Sequence, residues 1–148
     1  MDHICYRTSS LEEYRQVIEE CKTFSTLLIE STVGGRLIST FELDIPLRLV
    51  LRDGHQISLS VLEVPSPKSS SNYQSGLEHV EFVVSDPLEE FMLKYPMKWD
   101  LSALHKEVNA DIRLTLEGCS VKFHNTSLKN VIQQSKSAPS FTVTKFSK

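Results

Sequence analysis

The sequence has few cysteines, no long apolar run and no excess of basic residues. Its three cysteines, Cys5, Cys21 and Cys119, are an odd number without a C-x-x-C spacing, which argues against a disulfide framework and a zinc knuckle. We interpret them as buried free thiols. The formal net charge of -3 excludes the basic field that drives nucleic-acid binding, and no run approaches the roughly 20 apolar residues that span a bilayer. We therefore expect neither a nucleic-acid partner nor a membrane partner.

The N-terminus also lacks the features of a signal peptide. Residues 1–4, Met-Asp-His-Ile, contain neither a basic region nor an apolar region, so we expect a cytoplasmic protein. The chain has 148 residues, 40% hydrophobic and 24% charged, which are ordinary values for a globular protein. This length buries one sizeable core, or two half-domains that share a core, so we expect a single domain.

Two segments about half a chain apart share one residue pattern. Residues 2–6 read Asp-His-Ile-Cys-Tyr and are followed at 11–14 by Leu-Glu-Glu-Tyr. Residues 78–82 read Glu-His-Val-Glu-Phe and are followed at 88–91 by Leu-Glu-Glu-Phe. The two histidines are 76 positions apart. A match over nine positions predicts an internal duplication.

Each copy predicts a strand followed by a helix. Alternating apolar residues predict strands at 4–7 and 80–84. Apolar residues three and four positions apart predict the helices. The first helix is capped by Ser9 or Ser10 and buries Leu11, Tyr14, Val17, Ile18 and Cys21. The second has Asp86 as its cap and Pro87 at its first position, buries Leu88, Phe91 and Met92, and ends before Pro96.

Three strands are predicted after each helix. Turns at Gly34-Gly35 and Asp53-Gly54 separate strands at 27–33, 37–43 and 57–64, and the second half repeats this with strands at 103–108, 112–116 and 120–123. The predicted class is α+β, with two paired βαβββ modules that form an open, cup-shaped barrel. The single domain spans 1–134, with module one at about 1–64, a linker at 65–76 and module two at about 77–134. We expect a loosely ordered tail at 135–148.

Strand alternation places several polar side chains on the face that the helices leave uncovered. One helix per module covers one face of its sheet, so residues of the opposite parity face the other side. These residues include His3, His79 and His124, whereas His55 and His105 have no such placement and are interpreted as surface residues. Glu63 shares the parity of apolar neighbours, where a carboxylate is costly unless it is paired or bound to a cation.

If the two sheets curve together, His3, Glu63, His79 and His124 converge. Imidazoles with a carboxylate suit Zn, Fe, Ni or Mn, with an open position for water or substrate. The alternative is that these are hydrogen-bonded structural histidines. A free amino terminus with a histidine at position 3 also chelates copper and nickel through backbone nitrogens, without any pocket.

The pattern resembles the vicinal oxygen chelate superfamily, which includes glyoxalases and extradiol dioxygenases, and within it the YecM-like branch. The resemblance runs from Asp2 to about Ile132 and rests on five short segments: Asp-His-Ile at 2–4, Gly-Arg-Leu-Ile at 35–38, Leu-Glu-Val-Pro-x-Pro at 62–67, Gly-Leu-Glu-His-Val-Glu at 76–81 and Val-Lys-Phe-His at 121–124. Members usually carry a helical stretch before the first strand. Here that strand begins at Met1, so we expect either a shortened form or a missing upstream segment.

The resemblance implies a metal site with His3, Glu63 and His79 as ligands and His124 as a fourth candidate. The metal would act as a Lewis acid on adjacent substrate oxygens. Glu81 would be the general base, or an acceptor for a ligand imidazole. The alternative is a strand glutamate that is solvated and has no role in the site. Arg36 and Lys122 are candidate contacts for a substrate carboxylate or phosphate, with a turn-flanking arginine and a solvent-reaching lysine as the alternatives.

Three functions remain open at this point. The first is a metal-dependent isomerase, lyase or dioxygenase that acts on a small oxygenated metabolite. The second is a non-catalytic protein that binds a small ligand or a metal. The third is a structural or interaction module with packed histidines. The expected state is a monomer or a homodimer, and the expected partner is a small molecule.

Overall fold

Seven strands and three helices make up the parts of the chain that the computed structural model describes, residues 1–68 and 73–137. The elements are β1 His3–Arg7, α1 Leu11–Cys21, β2 Ser25–Val33, β3 Arg36–Val50, β4 Gln56–Pro65, β5 Gly76–Val83, α2 Leu88–Lys94, β6 Asp111–Thr115, β7 Ser120–His124 and α3 Leu128–Ser137. All seven strands belong to one mixed sheet with the order β2-β3-β4-β1-β5-β7-β6. The predicted α+β class is confirmed.

The centre of the sheet is arranged with quasi-twofold symmetry. Each half pairs its first strand in parallel with its last strand, β1 with β4 and β5 with β7, and the two first strands pair antiparallel. In that central pair His3 lies opposite Glu81, and Cys5 lies opposite His79. His3 and His79 are 76 positions apart, and so are Cys5 and Glu81, so the spacing of the sequence repeat relates the first pair to the second. The sequence repeat and the strand pairing therefore agree.

Of the predicted open, cup-shaped barrel the structure shows one open mixed sheet: it is not closed into a barrel, and β2 and β6 remain its edges. The predicted strand at 103–108 consists of turns and bends, and near it Asp100 and Arg113 form an isolated bridge. Three consecutive polar residues, His105, Lys106 and Glu107, interrupt the alternation that would give this segment an apolar face. The second half is thus βαββ. The described part of the second half therefore has one strand fewer than predicted.

Helices α1 and α2 lie on the face of the sheet away from the predicted ligands. Helix α1 begins after Ser10, whose hydroxyl accepts a hydrogen bond from the Glu13 N–H group. The buried residues of this helix and the strands beneath it form a core of Tyr14, Ile18, Cys21, Phe41 and Val64. In α2 the cap position is Pro87 and no side chain caps it. Asp86, the predicted cap, instead pairs with Lys94.

Helix α3, which the sequence analysis did not predict, lies against the opposite face. The Leu128 N–H group donates to Asp2 Oδ2 at 2.9 Å, and Lys129 Nζ lies 2.5 Å from Glu42 Oε1. The helix extends to Ser137, and the remainder of the predicted tail, 138–148, lies outside the described residues. Positions 69–72 of the predicted linker also lie outside them.

None of the helices in residues 1–68 and 73–137 is long and apolar enough to cross a membrane.

Candidate metal centre

Strand register brings the predicted ligands onto one face of the sheet. Cys5 is paired with Glu63 on β4 and with His79 on β5, whereas His3 is paired with Glu81. Directly paired residues share a face of the sheet, so all these side chains point to the side away from α1 and α2. One potential ligand atom from each of His3, Glu63 and His79 lies within 4.8 Å of the others. The structure thus brings together three of the four predicted ligands.

Distances within this group are those of close ionic contacts. His3 Nε2 lies 3.5 Å from Glu63 Oε2 and 3.5 Å from Glu81 Oε1. His79 Nε2 lies 3.0 Å from Glu81 Oε1 and 3.7 Å from Glu63 Oε2. The His3 and His79 residues are 1% and 6% exposed. Carboxylate and imidazole groups therefore meet in a site that is largely removed from solvent.

The orientation of the His3 ring is set by a carboxylate that the sequence analysis gave no role. Asp2 Oδ2 accepts hydrogen bonds from His3 Nδ1 and from the Leu128 N–H group, both at 2.9 Å. His3 Nε2 is buried without a hydrogen-bond partner among the described residues. A metal-binding histidine commonly donates its other ring N–H to a carboxylate in this way. The sequence does contain a signal for the role of Asp2, because an acidic residue directly precedes each histidine of the repeat.

His124, the fourth predicted ligand, also lies beside the group. Its Nδ1 donates to the Thr126 carbonyl at 2.6 Å, and its Nε2 lies 3.2 Å from Glu81 Oε2 and 3.6 Å from Asp2 Oδ2. That Nε2 atom is buried and lacks a hydrogen-bond partner within the described residues. Asp2, His3 and His124 form a second set of potential ligand atoms within 4.8 Å. We call His3, Glu63, His79, Glu81 and His124 the imidazole–carboxylate cluster.

Glu81 is at the centre of this cluster, and both of its oxygens are engaged. Oε1 accepts from Lys122 Nζ at 2.6 Å and contacts His79, while Oε2 faces His124. Lys122 Nζ also lies 3.2 Å from His79 Nε2. The predicted substrate contact Lys122 is thus a direct neighbour of two cluster residues.

The charges in the cluster stabilise one another. Burial lowers the pKa of His3, but Asp2, Glu63 and Glu81 outweigh this effect and raise it to about 11. Burial raises the pKa of Glu63, but His3 and His79 hold it at about 2. For Glu81, His124 and the other imidazoles likewise outweigh burial and hold the pKa far below its usual value. Buried carboxylates that remain ionised require cations beside them.

The remaining predicted residues lie near the cluster or at the surface. Arg36 Nη2 donates to Glu78 Oε1 at 3.1 Å, and its Nη1 atom is buried without a hydrogen-bond partner among residues 1–68 and 73–137. Cys5 is a buried free thiol, and burial raises its pKa well above the usual range. His55 and His105 are exposed, as predicted.

A cavity of about 520 Å³ opens above the cluster. We call it the central cavity. It has the size of a small-molecule site and contains residues that the sequence analysis missed. These are Lys106, Asn109, Asp111 and Arg113 from the second half and Leu128 and Val131 from α3. Turn formation at 103–110 placed Lys106 and Asn109 here, strand β6 carries Asp111 and Arg113, and the added helix carries Leu128 and Val131.

The cluster fits a divalent metal ion. Two imidazole nitrogens and a carboxylate oxygen are ligands that Zn, Fe, Ni and Mn accept. The buried Nε2 atom of His3, with Nδ1 fixed by Asp2, could bind a metal once the ion displaces its proton.

Comparisons with known proteins agree with this fold. Residues 1–135 match the model of a family described as YecM protein. The structural-genomics protein EC4020 has 24% sequence identity and a TM-score of 0.71, over 90% of this chain and 75% of that one. The hypothetical protein BH1468 from Bacillus halodurans C-125 has 14% identity and a TM-score of 0.57, over 86% and 94%. At these identities the two structures show similarity of fold alone. No curated protein matches the sequence.

Proposed function

Because the chain belongs to the YecM protein family, a known member of the glyoxalase type of fold, we propose that it is a divalent-metal-binding protein of the vicinal oxygen chelate type. We further propose that it is a metal-dependent enzyme that acts on a small oxygenated metabolite, by isomerase, lyase or dioxygenase chemistry. One observation carries the proposal: one imidazole nitrogen from each of the buried residues His3 and His79 and one carboxylate oxygen of Glu63 lie within 4.8 Å of one another.

The charge balance of the cluster supports a cation at this position. Asp2, Glu63 and Glu81 contribute three carboxylates within 3.7 Å of the buried imidazoles. Lys122 contributes one positive charge, and His3, whose pKa is raised to about 11, contributes a second. Buried carboxylates are stable when they are paired with cations or coordinate a metal. A divalent ion held by His3, Glu63 and His79 would meet this need.

The residues of the chain have separate roles in this proposal. His3, Glu63 and His79 bind the ion, with His124 as a fourth candidate, and Asp2 orients His3. A bound ion supplies a Lewis acid for the adjacent oxygens of a substrate.

The residues around the cluster hold the substrate. Arg36 and Lys122 contact its oxygens, and Leu128 and Val131 of α3 exclude water from one side of the central cavity. Glu81 is proposed as the general base once Lys122 turns toward the substrate.

A second candidate function is binding without turnover, and the contacts of Glu81 favour it. Both oxygens of Glu81 are engaged by Lys122, His79 and His124. A general base needs an oxygen that can reach the substrate proton. A binding protein has no such requirement, so the two candidates differ in whether Glu81 is released when a ligand enters.

Elemental analysis by mass spectrometry tests the metal centre. We expect about one divalent ion per chain in the wild type, and its loss in His79→Ala and Glu63→Ala. The matched control is His105→Ala, because His105 is exposed and lies outside the central cavity. A tag on the amino terminus removes chelation by the terminal backbone nitrogens and should leave the metal content unchanged.

Absence of metal from the folded wild type, after reconstitution with Zn, Fe, Ni and Mn in turn, would refute the proposal. If the metal is present, turnover of small oxygenated substrates by the loaded protein separates the enzyme from the binding protein. Glu81→Gln should abolish turnover in an enzyme.

A further inference from the structure

A second group of polar side chains lines the central cavity at the start of β6. Asn109, Asp111 and Arg113 all face this cavity, and we call them the β6 wall. Three of their buried atoms, Asn109 Oδ1, Asp111 Oδ1 and Arg113 Nε, have no hydrogen-bond partner among the described residues. Buried polar atoms normally have one. The β6 wall therefore offers two acceptors and one charged donor to a ligand.

The β6 wall is held in place by contacts that leave these three atoms without a hydrogen bond. Asp111 is 5% exposed, and its Oδ2 atom pairs with Lys106 Nζ at 3.0 Å. Arg113 Nη2 lies 3.8 Å from Asp111 Oδ1. The backbone of Arg113 exchanges hydrogen bonds with Asp100 at 2.8 and 3.1 Å. The free donor and acceptors are thus preorganised, which reduces the entropic cost of binding.

Strand register connects the β6 wall to the imidazole–carboxylate cluster. Arg113 is paired with Lys122, and Lys122 is paired with Glu81. Asp111 is paired with His124. The distance from β6 to β5 is two strand spacings, roughly 10 Å. One small molecule with several oxygens can therefore contact both the cluster and the β6 wall.

The charge of the central cavity favours an anion. Its cationic side chains are Arg36, Lys68, Lys106, Arg113 and Lys122, and its carboxylates are Glu63, Glu78, Glu81 and Asp111. With the imidazoles counted as neutral in both cases, five positive and four negative groups leave an excess of one positive charge, although the whole chain has a net charge of -3. A bound divalent ion would increase this excess, so the cavity is set apart electrostatically from the rest of the protein.

We propose that the β6 wall makes the central cavity specific for a small polyhydroxylated anion; this rests on the proposed function. Arg113 Nε donates to an oxygen of the anionic group, and Asn109 Oδ1 and Asp111 Oδ1 accept from hydroxyl groups. The anionic group is a carboxylate, as in a sugar acid, or a phosphate, as in a sugar phosphate. The other end of the molecule lies at the imidazole–carboxylate cluster.

Isothermal titration calorimetry on the metal-reconstituted protein, after removal of free metal, tests this specificity. The probes are gluconate and glucose 6-phosphate, with glucitol as the neutral polyol and hexanoate as the carboxylate without hydroxyls. We expect at least one of the first two to bind roughly tenfold more tightly than both controls. Which of them binds identifies the anionic group.

Variants of the β6 wall test whether its residues bind the polyhydroxylated anion. Arg113→Gln should weaken binding by roughly tenfold, whereas Arg48→Gln, on the exposed part of β3, should leave it unchanged. Asn109→Gly suits the positive φ of 51° at this position and should weaken binding of the polyhydroxylated anion but not of hexanoate. Arg113→Lys keeps the charge and serves as a second variant if Arg113→Gln unfolds.

The outcomes separate this inference from the proposed function. Failure of both hydroxylated anions to bind more tightly than glucitol and hexanoate would overturn the inference, as would equal affinities in Arg113→Gln and Arg48→Gln. Metal content is measured independently on each sample. If no metal binds, the proposed function fails, but the same titration still decides the inference because Arg113 is not a metal ligand.

Discussion

The two halves of the chain share their central strands and differ in their outer ones. In the first half, Cys5 is paired with Glu63 across β1 and β4. At the equivalent position of the second half, Glu81 is paired with Lys122 across β5 and β7. In the first half the carboxylate, Glu63, is on the last strand. In the second half the carboxylate, Glu81, is on the first strand, and Lys122 occupies the last-strand position. The repeat thus retained the two central histidines while the positions around them diverged.

The outer elements diverged further. Strands β2, β3 and β4 have 9, 15 and 10 residues, whereas β6 and β7 have 5 each. Turns replace the missing strand of the second half and carry Lys106 and Asn109 to the central cavity. The first half contributes the longer part of the sheet and the second contributes the polar wall of the cavity. This difference can be tested by matched changes in the two halves.

The largest expected effect is on stability, because the two halves pack differently. Phe41 is fully buried in the core of the first half, so Phe41→Ala should lower the free energy of unfolding by about 3–5 kcal/mol. Phe123, which contacts Phe91 and Trp99, is half-buried, and Phe123→Ala should cost about 1–2 kcal/mol. Urea unfolding measures both. Equal losses would show that the second half packs as tightly as the first.

Next in size is the loss of metal affinity when either central histidine is removed. His3 and His79 occupy equivalent positions, so His3→Ala and His79→Ala should each weaken metal binding by roughly 100-fold or more, because each removes one proposed ligand. Competition with a chromophoric chelator measures the affinity, with His105→Ala as the unchanged control. Full metal affinity in either variant would show that His3 and His79 are not equivalent ligands.

A smaller effect, a gain in metal affinity, is expected when the Glu81–Lys122 pair is changed. Lys122 Nζ lies 2.6 Å from Glu81 Oε1 and 3.2 Å from His79 Nε2, where its charge opposes a metal ion. Lys122→Met keeps the length of the side chain and should raise metal affinity by roughly tenfold. Glu63→Gln, at the equivalent position of the first half, should lower it. The same chelator competition measures both, and a decrease in Lys122→Met would contradict this role.

The smallest expected effect concerns the starts of the two helices. Ser10 caps α1, with its hydroxyl 3.1 Å from the Glu13 nitrogen, so Ser10→Ala should lower the free energy of unfolding by about 1 kcal/mol. Pro87 gives α2 no side-chain cap, so Pro87→Ala should change stability by less than that. Urea midpoints compare the two. A larger loss in Pro87→Ala would show that proline fixes the start of α2 more firmly than a hydrogen bond fixes α1.

Local elements were predicted well where a periodic pattern was strong. The alternation in β1, β4 and β5 and the spacing of Tyr14, Ile18 and Cys21 in α1 predicted these elements near their observed bounds. The prediction of a strand at 103–108 failed because it treated the second half as a full copy of the first. His105, Lys106 and Glu107 break the alternation there. Helix α3 follows the region of the repeat, so the repeated pattern gave no reason to expect it.

Part of the candidate site could be predicted for the same reason. His3, Glu63, His79 and His124 were predicted to converge, and the structure places their side chains in one cluster. Asp2 was not assigned a role, because one of its contacts joins residues distant in sequence. The Asp2 carboxylate, for example, contacts the first turn of α3, 126 positions further along the chain.

The sequence by itself determined which side chains share a face of the sheet. Side chains alternate along a strand with a period of two, whatever lies around the strand. Only the tertiary structure decided which residues on that face meet, because strand register depends on pairing between distant segments. That register placed Lys122 opposite Glu81 and aligned Arg113 beside it. It also set the β6 wall next to the imidazole–carboxylate cluster, a relation that no local pattern contains.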